Sequence, residues 1–459
     1  MAGSAPPGIP GPLWSRLQAG VSTLASADRI RIVCHYDGDG AASAAVLARA
    51  LSRWGKDFHI SLTTVIDEAT ATRLREEAGK PLLVADMGSG QLDAIEGLGR
   101  PAVVLDHHKP QRDATKAVHA NPHLFGIDGA HGACGATLSW AFALAVDEEN
   151  WDLAGVAMAG AIADRQHVPA FDGMNAPLFE EAVRRNVLVR ERGPALPDGP
   201  LAETLSNSYL PYFAGLAGRT EEAAKALRRL KVEPDAHWHA LDSGRRRALT
   251  SYLATHLMRQ GAISEAVEML IEDKYRIESL GRSANDLADA INACCRTGAE
   301  GLAVALGLGD SDALVPSEVH RQTYARNVLG HLTRLEREGP FLGKHLAFFY
   351  CPEASMAGNV AGISVQYLWN GARPVLALSV TDGTTRVSAR GTKALVARGL
   401  DLAAALREAA GAFGGSGGGH DVASGATIPK GKEEKFVERV DEIVGLQLVS
   451  KVAAGPQTG

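Results

Sequence analysis

Short apolar segments alternate with helix-like sequence in the first quarter of the chain, and this alternation restricts the fold more than any other feature. The segments are RIRIVC (29–34), FHISLTTV (58–65), PLLVADM (81–87) and PAVVLDHH (101–108). Apolar runs of about four to eight residues are typical of strands, and strands without polar alternation are typical of sheets covered on both faces. Together with Ala- and Leu-rich segments such as AASAAVLARALSRW, they predict an α/β fold with a parallel sheet.

Acidic and imidazole side chains follow these strands at the points where the strands end. They are His35, Asp37 and Asp39 after the first strand, Asp86 after the third, Asp106, His107 and His108 after the fourth, and Asp164 after the apolar segment WDLAGVAMAGAIA. A single Asp in such a place is most often a helix cap or a turn former, but this explanation is weak for four places along one sheet edge. Because ligands bind at the carboxyl ends of strands in open α/β sheets, we expect these side chains to converge.

The expected cluster is rich in carboxylates, which repel one another unless cations neutralise them. Oxygen ligands with one or two imidazoles suit Mn²⁺ or Mg²⁺, and the absence of thiolates from the set argues against structural zinc. Two such ions that share a bridging carboxylate can activate a water molecule and neutralise charge on a phosphoryl group. The pattern therefore predicts a metal centre for phosphoryl transfer.

Composition and periodicity divide the chain into regions. We predict an N-terminal arm and helix over 1–28, a catalytic domain over 29–170, a helical middle region over 171–343, a smaller α/β domain over 344–452 and a flexible tail over 453–459. The start, MAGSAPPGIPGPLW, is predicted to be a flexible arm. Helical periodicity is clear in EEAAKALRRL and RRRALTSYLATHLMRQ. Strand-like runs return in HLAFFYC, PVLALSV and TRVSARG, and the Gly-rich segment GAFGGSGGGHDVASGA follows them.

Several classes of protein are disfavoured by composition. No apolar run reaches the roughly 18 residues of a membrane span, and the start lacks the basic and apolar regions of a secretory signal. Five cysteines without paired spacing suit a reducing cytoplasm, where we expect the protein to be located. The net charge of -6 gives no overall attraction to nucleic acid. The basic runs RRNVLVRER (184–192) and GRRRAL (244–249) could line an approach to the site, although such runs are more often solvated helix faces.

The motifs HYDGDG, VADMG, LDHH and AGAIAD, in this order and spacing, resemble the four motifs of the DHH phosphoesterase superfamily. GGSGGGH resembles the signature of its DHH-associated C-terminal domain. Together with AGNVAGISVQYLWNGARPVLAL and VSARGT, it is similar to the RecJ branch. The helical middle with DLADAINACCR is most similar to the archaeal RecJ-like exonucleases, of which some associate with GINS. The resemblance covers nearly the whole chain and implies that the catalytic and C-terminal domains form a cleft.

The resemblance also implies roles for the clustered residues. Asp37 and Asp86 would hold one metal ion, and a second would be held by Asp39, Asp86, His107 and Asp164, so that Asp86 bridges the two ions. Asp106 would orient the imidazoles, and His108 would donate a hydrogen bond to the scissile phosphate. His35 precedes Asp37 by two residues, as in the nuclease-like pattern. Whether His35 is a ligand or a supporting histidine stays open.

Residues that bind the substrate are predicted in the C-terminal domain. The backbone of Gly417, Gly418 and Gly419 could approach a phosphate closely, with His420 as a further donor, although a flexible linker is the alternative for this run. Arg390 has a planar guanidinium that matches phosphate oxygens. Asn359, in GNVAGI, is a weaker candidate. With aromatic residues at 5%, backbone contacts should dominate, which predicts weak sequence preference and marked salt sensitivity.

These features predict a Mn²⁺- or Mg²⁺-dependent exonuclease that hydrolyses single-stranded DNA, with RNA as a second candidate substrate, in DNA repair, recombination or replication. A metal-activated hydroxide would attack the phosphorus. GINS or another replisome protein is a partner implied by the resemblance alone. One alternative is a phosphodiesterase for nano-RNA or cyclic dinucleotides, which the helical insert disfavours. Another is a replisome scaffold without activity, which the presence of every predicted ligand disfavours.

Overall fold

The predicted parallel sheet is present in this computed structural model and carries the acidic strand ends. Its strands are β1 (Arg29–His35), β2 (Asp57–Thr63), β3 (Leu82–Ala85), β4 (Ala102–Leu105) and β5 (Val118–Ala120). Their order is β2-β1-β3-β4-β5, and each neighbouring pair is parallel. β5 was not predicted from the sequence, because three residues that include a histidine carry too little apolar pattern to be recognised.

Helices pack on both faces of this sheet. They are α1 (Gly11–Leu24), α2 (Gly38–Arg53), α3 (Glu68–Glu76), α4 (Leu92–Glu96), α5 (Gly135–Val146), α6 (Ala154–Ala163) and α7 (Asn175–Arg184). Ile32 and Leu83 belong to a large core that contains residues of α1, α2, α5 and α6. Val33 and Val84 belong to a second core with residues of α3 and α4. Since successive strand residues point to opposite faces, both faces are apolar, which explains the continuous apolar runs.

The first helix corrects the predicted flexible arm. Ile9, Leu13 and Trp14 are buried in the large core, and α1 begins at Gly11 with a proline in its first turn. Proline suits that position because its fixed φ is helical and its missing N–H would have no partner there. The prediction of a flexible arm over MAGSAPPGIPGPLW is therefore wrong from Ile9 onward.

The structure describes residues 4–77 and 79–453, with side chains as far as Val449. The chain forms two units: one contains Met1–Arg192 and Asp273–Tyr324, and the other contains Gly193–Glu272 and Ala325–Gly459. The predicted helical middle region is thus divided between the units. Apart from Ala453, the predicted tail over 453–459 lies outside the described residues. None of the described helices combines the length and the apolar character that a bilayer-spanning segment needs.

The remaining elements are helices and short strands. The helices are α8 (Leu201–Asn207), α9 (Thr220–Arg229), α10 (Ser243–Gln260), α11 (Ser264–Glu268), α12 (Ala284–Arg296), α13 (Glu300–Leu308), α14 (Leu314–Glu338), α15 (Ala354–Ile363), α16 (Lys393–Ala397), α17 (Leu402–Ala412) and α18 (Glu433–Ala453). The strands are β6 (Leu188–Pro194), β7 (Ile271–Ile277), β8 (Arg282–Ser283), β9 (Phe341–Leu342), β10 (Ala347–Tyr350), β11 (Val375–Val380), β12 (Thr384–Arg390), β13 (Ser416–Gly419) and β14 (Ala423–Pro429). The sheet of the second unit has the order β13-β14-β12-β11-β10-β9.

The Gly-rich segment forms an edge strand of this second sheet. β13 pairs antiparallel with β14, with Gly417 opposite Ala426. A Cβ atom on Gly417 would lie 2.6 Å from the carbonyl oxygen of Leu406 in α17. Glycine is therefore required for the close packing of α17 on this strand. The segment is ordered structure and not a flexible linker.

Candidate metal centre

The predicted ligands converge at the carboxyl edge of the parallel sheet. They come from the end of β1 (His35), the start of α2 (Asp37 and Asp39), the residue after β3 (Asp86), the segment after β4 (His107) and the end of α6 (Asp164). Ligand atoms of His35, Asp37 and Asp86 lie within 4.8 Å of one another, and so do those of Asp39, His107 and Asp164. Asp86 connects the two groups, because its Oδ1 is 3.2 Å from His107 Nε2 and its Oδ2 is 3.5 Å from His35 Nδ1.

Asp86 has an unusual backbone conformation. Its φ is +60°, in the left-handed region that few residues other than glycine adopt, and it is 1% exposed. Such strain persists only where the surrounding structure enforces it, and it is common at functional sites. The first residue of α5 packs directly on Asp86: a Cβ atom on Gly135 would lie 2.4 Å from the Cβ atom of Asp86. Glycine at position 135 therefore allows α5 to approach the site.

The first turn of α5 holds the carboxylate of Asp39. The N–H groups of Gly135 and Ala136 donate to Asp39 Oδ2 and Oδ1 at 2.7 and 2.9 Å. The N–H groups at a helix N-terminus have no partner within the helix and stabilise a negative charge. These bonds orient Asp39 so that its Oδ2 lies 3.9 Å from His107 Nε2. Sequence reasoning missed them, because Gly135 follows Asp39 by 96 residues.

Two further polar contacts orient His107 and Asp164. Nδ1 of His107 donates to the carbonyl oxygen of Gly129 at 2.7 Å, which leaves Nε2 directed at the carboxylates. Gln166 Nε2 donates to Asp164 Oδ2 at 2.9 Å and to the same Gly129 carbonyl at 3.0 Å. Ligands of bound metals are usually oriented in this way by a second layer of hydrogen bonds. Gln166 was not predicted from the sequence, where its only signal is its position two residues after Asp164.

Asp106 contacts His108 and the backbone. Its Oδ1 lies 2.8 Å from His108 Nδ1, and its Oδ2 accepts a hydrogen bond from the N–H of Ser89 at 2.7 Å. Asn121 Nδ2 donates to the carbonyl oxygen of His108 at 2.8 Å. The side chain of His108 is 58% exposed, and one of its nitrogens lies within 4.8 Å of ligand atoms of Asp86 and His107. His108 is thus an oriented imidazole beside the cluster, and sequence reasoning missed Ser89, which holds Asp106, and Asn121, which holds the backbone of His108.

Burial and mutual repulsion shift the pKa values of the cluster. Burial, and then the charges of Asp39 and Asp37, raise the pKa of Asp86 well above its usual value. Burial also raises the pKa of Asp164 to about 7. Burial lowers the pKa of His35, but its neighbours Asp37 and Asp86 outweigh this effect and raise the value to about 10. The raised pKa values mean that bound protons reduce the negative charge of the cluster. Divalent cations could neutralise that charge in their place.

The residues present fit Mn²⁺ or Mg²⁺. Among the described residues, His35 Nδ1 and Asp86 Oδ2 are buried atoms that make no well-aligned hydrogen bond, although His35 Nδ1 lies 3.0 Å from Asp37 Oδ2 and 3.5 Å from Asp86 Oδ2. Such atoms are rare in native proteins and call for a bound ion or water. One carboxylate oxygen each of Asp39, Asp86 and Asp164 lies 3.2 to 3.9 Å from His107 Nε2. These separations are those of neighbouring ligands around an ion bonded at about 2.1 Å, and the donors are the oxygen and nitrogen atoms that these ions accept.

The predicted substrate-binding residues lie in the second unit. Arg390, the last residue of β12, is paired with Ala423 of β14. Gly419, the last residue of β13, is paired with Ser424 of the same strand. Arg390 and the Gly-rich strand therefore reach the same end of this sheet, where exposed His420 follows β13.

Asn359 lies on α15, next to a glycine that accommodates Arg390. A Cβ atom on Gly358 would lie 2.6 Å from Nη2 of Arg390, so the guanidinium rests directly on the helix backbone. Nη1 of Arg390 donates to the carbonyl oxygen of Ala389 at 2.9 Å. The sequence pointed to Asn359 in GNVAGI, but it did not reveal that the neighbouring Gly358 makes room for the arginine.

The first basic run is largely paired with acids, and one arginine of the second run is paired in the same way. The ion pairs are Arg184–Glu181, Arg185–Glu181, Arg190–Glu180 and Arg192–Asp273 in the first run, and Arg245–Asp242 in the second. Such pairing reduces the positive charge that these surfaces present to a nucleic acid. It favours the interpretation of the first run as a solvated surface.

Comparison with known proteins identifies the family. A model of the DHH family N-terminal domain matches residues 29–163, and a DHHA1 domain model matches residues 344–446. An uncharacterised protein of Methanocaldococcus jannaschii is 30% identical over 433 residues, which cover 91% of this chain and 94% of the relative. The chain belongs to the DHH superfamily.

Solved structures show that this DHH protein has the RecJ-like fold. RecJ from Thermus thermophilus, in complex with Mn²⁺, is 19% identical with a TM-score of 0.59; the match covers 99% of this chain and 61% of that one. CDC45 from Entamoeba histolytica is 12% identical with a TM-score of 0.65 over 95% of this chain and 99% of that one. The chain thus spans less than two thirds of the Thermus protein. The predicted fold class and family are confirmed.

Proposed function

We propose that this DHH protein is a Mn²⁺- or Mg²⁺-dependent exonuclease that hydrolyses single-stranded DNA, with RNA as a second candidate substrate. The observation that carries the proposal is the sharing of Asp86 by two groups of ligand atoms, one with His35 and Asp37 and the other with Asp39, His107 and Asp164. Two divalent ions held in this way would lower the pKa of a water molecule and neutralise charge on the phosphate.

In this proposal His108 assists as a hydrogen-bond donor. Asp106 engages Nδ1 of His108, so that Nε2 is the nitrogen available to a ligand. The ring is half-exposed beside Asp86 and His107, where a phosphate would be bound. A donor oriented in advance stabilises the charge that develops on a non-bridging oxygen in the transition state, because it needs no reorganisation during the reaction.

We assign the binding of the nucleic acid strand to Arg390, Asn359, His420 and the backbone of Gly417–Gly419 in the second unit. The guanidinium and the strand-end N–H groups suit phosphate oxygens. Contacts of this kind recognise the nucleic acid backbone and carry little sequence information. Weak sequence preference and a steep loss of binding with salt are therefore expected.

The retention of every predicted ligand favours an enzyme over a scaffold without activity. The likeness to CDC45 concerns the fold alone. We include in the proposal a second role in a replisome, with GINS or another protein as the partner. A role in DNA repair, recombination or replication is proposed on the same basis. The phosphodiesterase for short substrates shares the metal chemistry, so only the choice of substrate separates it from the exonuclease.

The test is digestion of long single-stranded oligonucleotides, labelled at either end, in the presence of Mn²⁺. The wild-type protein should release mononucleotides stepwise and act weakly on a blunt duplex, and the label should reveal the polarity. Asp86→Ala should abolish cleavage, whereas Asp93→Ala, at a side chain that is 96% exposed, should leave it unchanged.

Two outcomes would contradict the proposal. Hydrolysis of dinucleotides without degradation of the long strand would identify the enzyme for short substrates. If the protein binds Mn²⁺ and hydrolyses neither substrate, the scaffold would be the better explanation.

A further inference from the structure

A second group of potential metal ligands lies in the second unit. His331 is on α14, Cys351 directly follows β10, and Glu353 immediately precedes α15. One ligand atom of each lies within 4.8 Å of the others. We propose that His331, Cys351 and Glu353 form a binding site for one zinc-like divalent cation, in addition to the DHH metal centre.

Neighbouring elements of the second unit position the three residues. Nε2 of His331 lies 2.8 Å from Glu353 Oε2. The N–H of Cys351 donates to the carbonyl oxygen of Leu378 at 2.9 Å, so the sheet holds the residue that carries the thiol. Arg334, one helical turn after His331, donates to the carbonyl oxygen of Tyr350 at 3.0 Å and ties α14 to the end of β10. Ligands on such elements need little rearrangement to bind an ion.

The donor set selects the class of cation. A thiolate and an imidazole suit Zn²⁺ or Co²⁺, whereas Mn²⁺ and Mg²⁺ prefer oxygen ligands. One thiolate and one carboxylate balance the charge of a divalent ion, and three protein ligands leave the fourth tetrahedral position to water. Cys351 is 1% exposed, while the side chain of Glu353 is 54% exposed and provides a path for the ion. Without a cation, the same residues would be an ion pair beside a buried thiol.

A cation here would fasten the start of α15 to α14 and β10. α15 begins at Ala354, one residue after Glu353. The same helix carries Asn359, and its Gly358 packs against the guanidinium of Arg390. The ion would therefore stabilise the helix on which Arg390 rests, whatever substrate the protein uses.

The experiment is a titration of the metal-free protein with Co²⁺, followed by absorption spectroscopy. A thiolate bound to Co²⁺ gives a ligand-to-metal charge-transfer band in the near ultraviolet, and oxygen and nitrogen ligands alone do not. Among the described residues, no other such cluster of ligand atoms contains a cysteine. We expect the band at saturation to correspond to one thiolate-bound Co²⁺ per chain, to disappear on addition of Zn²⁺ and to persist in Asp86→Ala.

Variants assign the band to the site. Cys351→Ser should abolish it, and His331→Gln and Glu353→Gln, which each remove a direct ligand, should weaken Co²⁺ binding by more than the roughly tenfold that loss of a supporting residue costs. Cys134→Ser, at another buried and free cysteine, is the matched control and should keep the band. If circular dichroism shows that Cys351→Ser does not fold, His331→Gln is the replacement test, because it leaves the buried thiol in place. Absence of the band from the wild-type protein, its persistence in folded Cys351→Ser, or an unchanged Co²⁺ affinity in His331→Gln would overturn the proposal.

Discussion

Substitution of Gly135 by alanine tests whether the packing of α5 on Asp86 builds the metal centre. The new Cβ atom would lie 2.4 Å from Cβ, 2.8 Å from Cγ and 2.9 Å from Cα of Asp86. Carbon atoms in ordinary contact are about 3.5 to 4.0 Å apart, so the first turn of α5 or Asp86 must move by about 1 Å. Part of the clash involves the backbone of Asp86, which no change of rotamer can relieve.

The expected cost of Gly135→Ala has two components. Overpacking of this kind destabilises a protein by about 1 to 3 kcal/mol. The displacement also moves the N–H groups that hold Asp39. Loss of such supporting contacts typically weakens metal binding about 10- to 100-fold. We therefore expect a lower temperature of unfolding for the metal-free protein and a weaker affinity for Mn²⁺ by at least about tenfold.

The assay is calorimetric titration of the metal-free protein with Mn²⁺, accompanied by thermal unfolding. Gly301→Ala is the matched control, because Gly301 lies in the first turn of α13 and a Cβ atom there would meet no heavy atom within 4 Å. This control should bind Mn²⁺ normally and gain up to about 1 kcal/mol of stability from the better helix propensity of alanine. If Gly135→Ala binds Mn²⁺ and unfolds like the wild-type protein, the proposed contribution of α5 to the site is refuted.

Two further predictions concern the same centre. Gln166→Leu removes the hydrogen bond to Asp164 and should weaken Mn²⁺ binding about 10- to 100-fold in calorimetry. The circular dichroism spectrum should be unchanged. Normal affinity for Mn²⁺ would show that Gln166 does not position Asp164. The affinity for Mn²⁺ should rise with pH through about 7, because burial raises the pKa of Asp164 to about 7 and the proton must leave before the carboxylate binds the ion. A constant affinity across this range would contradict the assignment of Asp164 as a ligand.

Much of the parallel sheet and of its ligand cluster could be predicted from local sequence. Apolar runs gave the positions of β1, β3 and β4, and the family motifs indicated residues such as Asp86 and His107, which the structure brings together. The prediction succeeds because parallel strands place their carboxyl ends at one edge, so residues that follow different strands must lie close together.

Local sequence was less informative where a residue depends on a partner far along the chain. The support of Asp39 by the first turn of α5 could not be predicted, since it joins residues 96 positions apart. The Gly-rich strand was identified as a phosphate-binding candidate, but the demand for glycine at Gly417 comes from α17 packed against it. Composition alone does not reveal which backbone will approach a glycine.

The sequence by itself determined the α/β class, the family and the residues available as ligands, because periodicity, strand ends and motifs are local properties of the chain. Only the tertiary structure decided how these residues are held. Gln166 donates a hydrogen bond to Asp164, and Gly358 makes room for the guanidinium of Arg390. It also brought His331 close to Cys351 and Glu353, which no spacing in the sequence indicates. The physical reason is that close packing joins distant segments, and the geometry of those contacts depends on the shapes of all the elements around them.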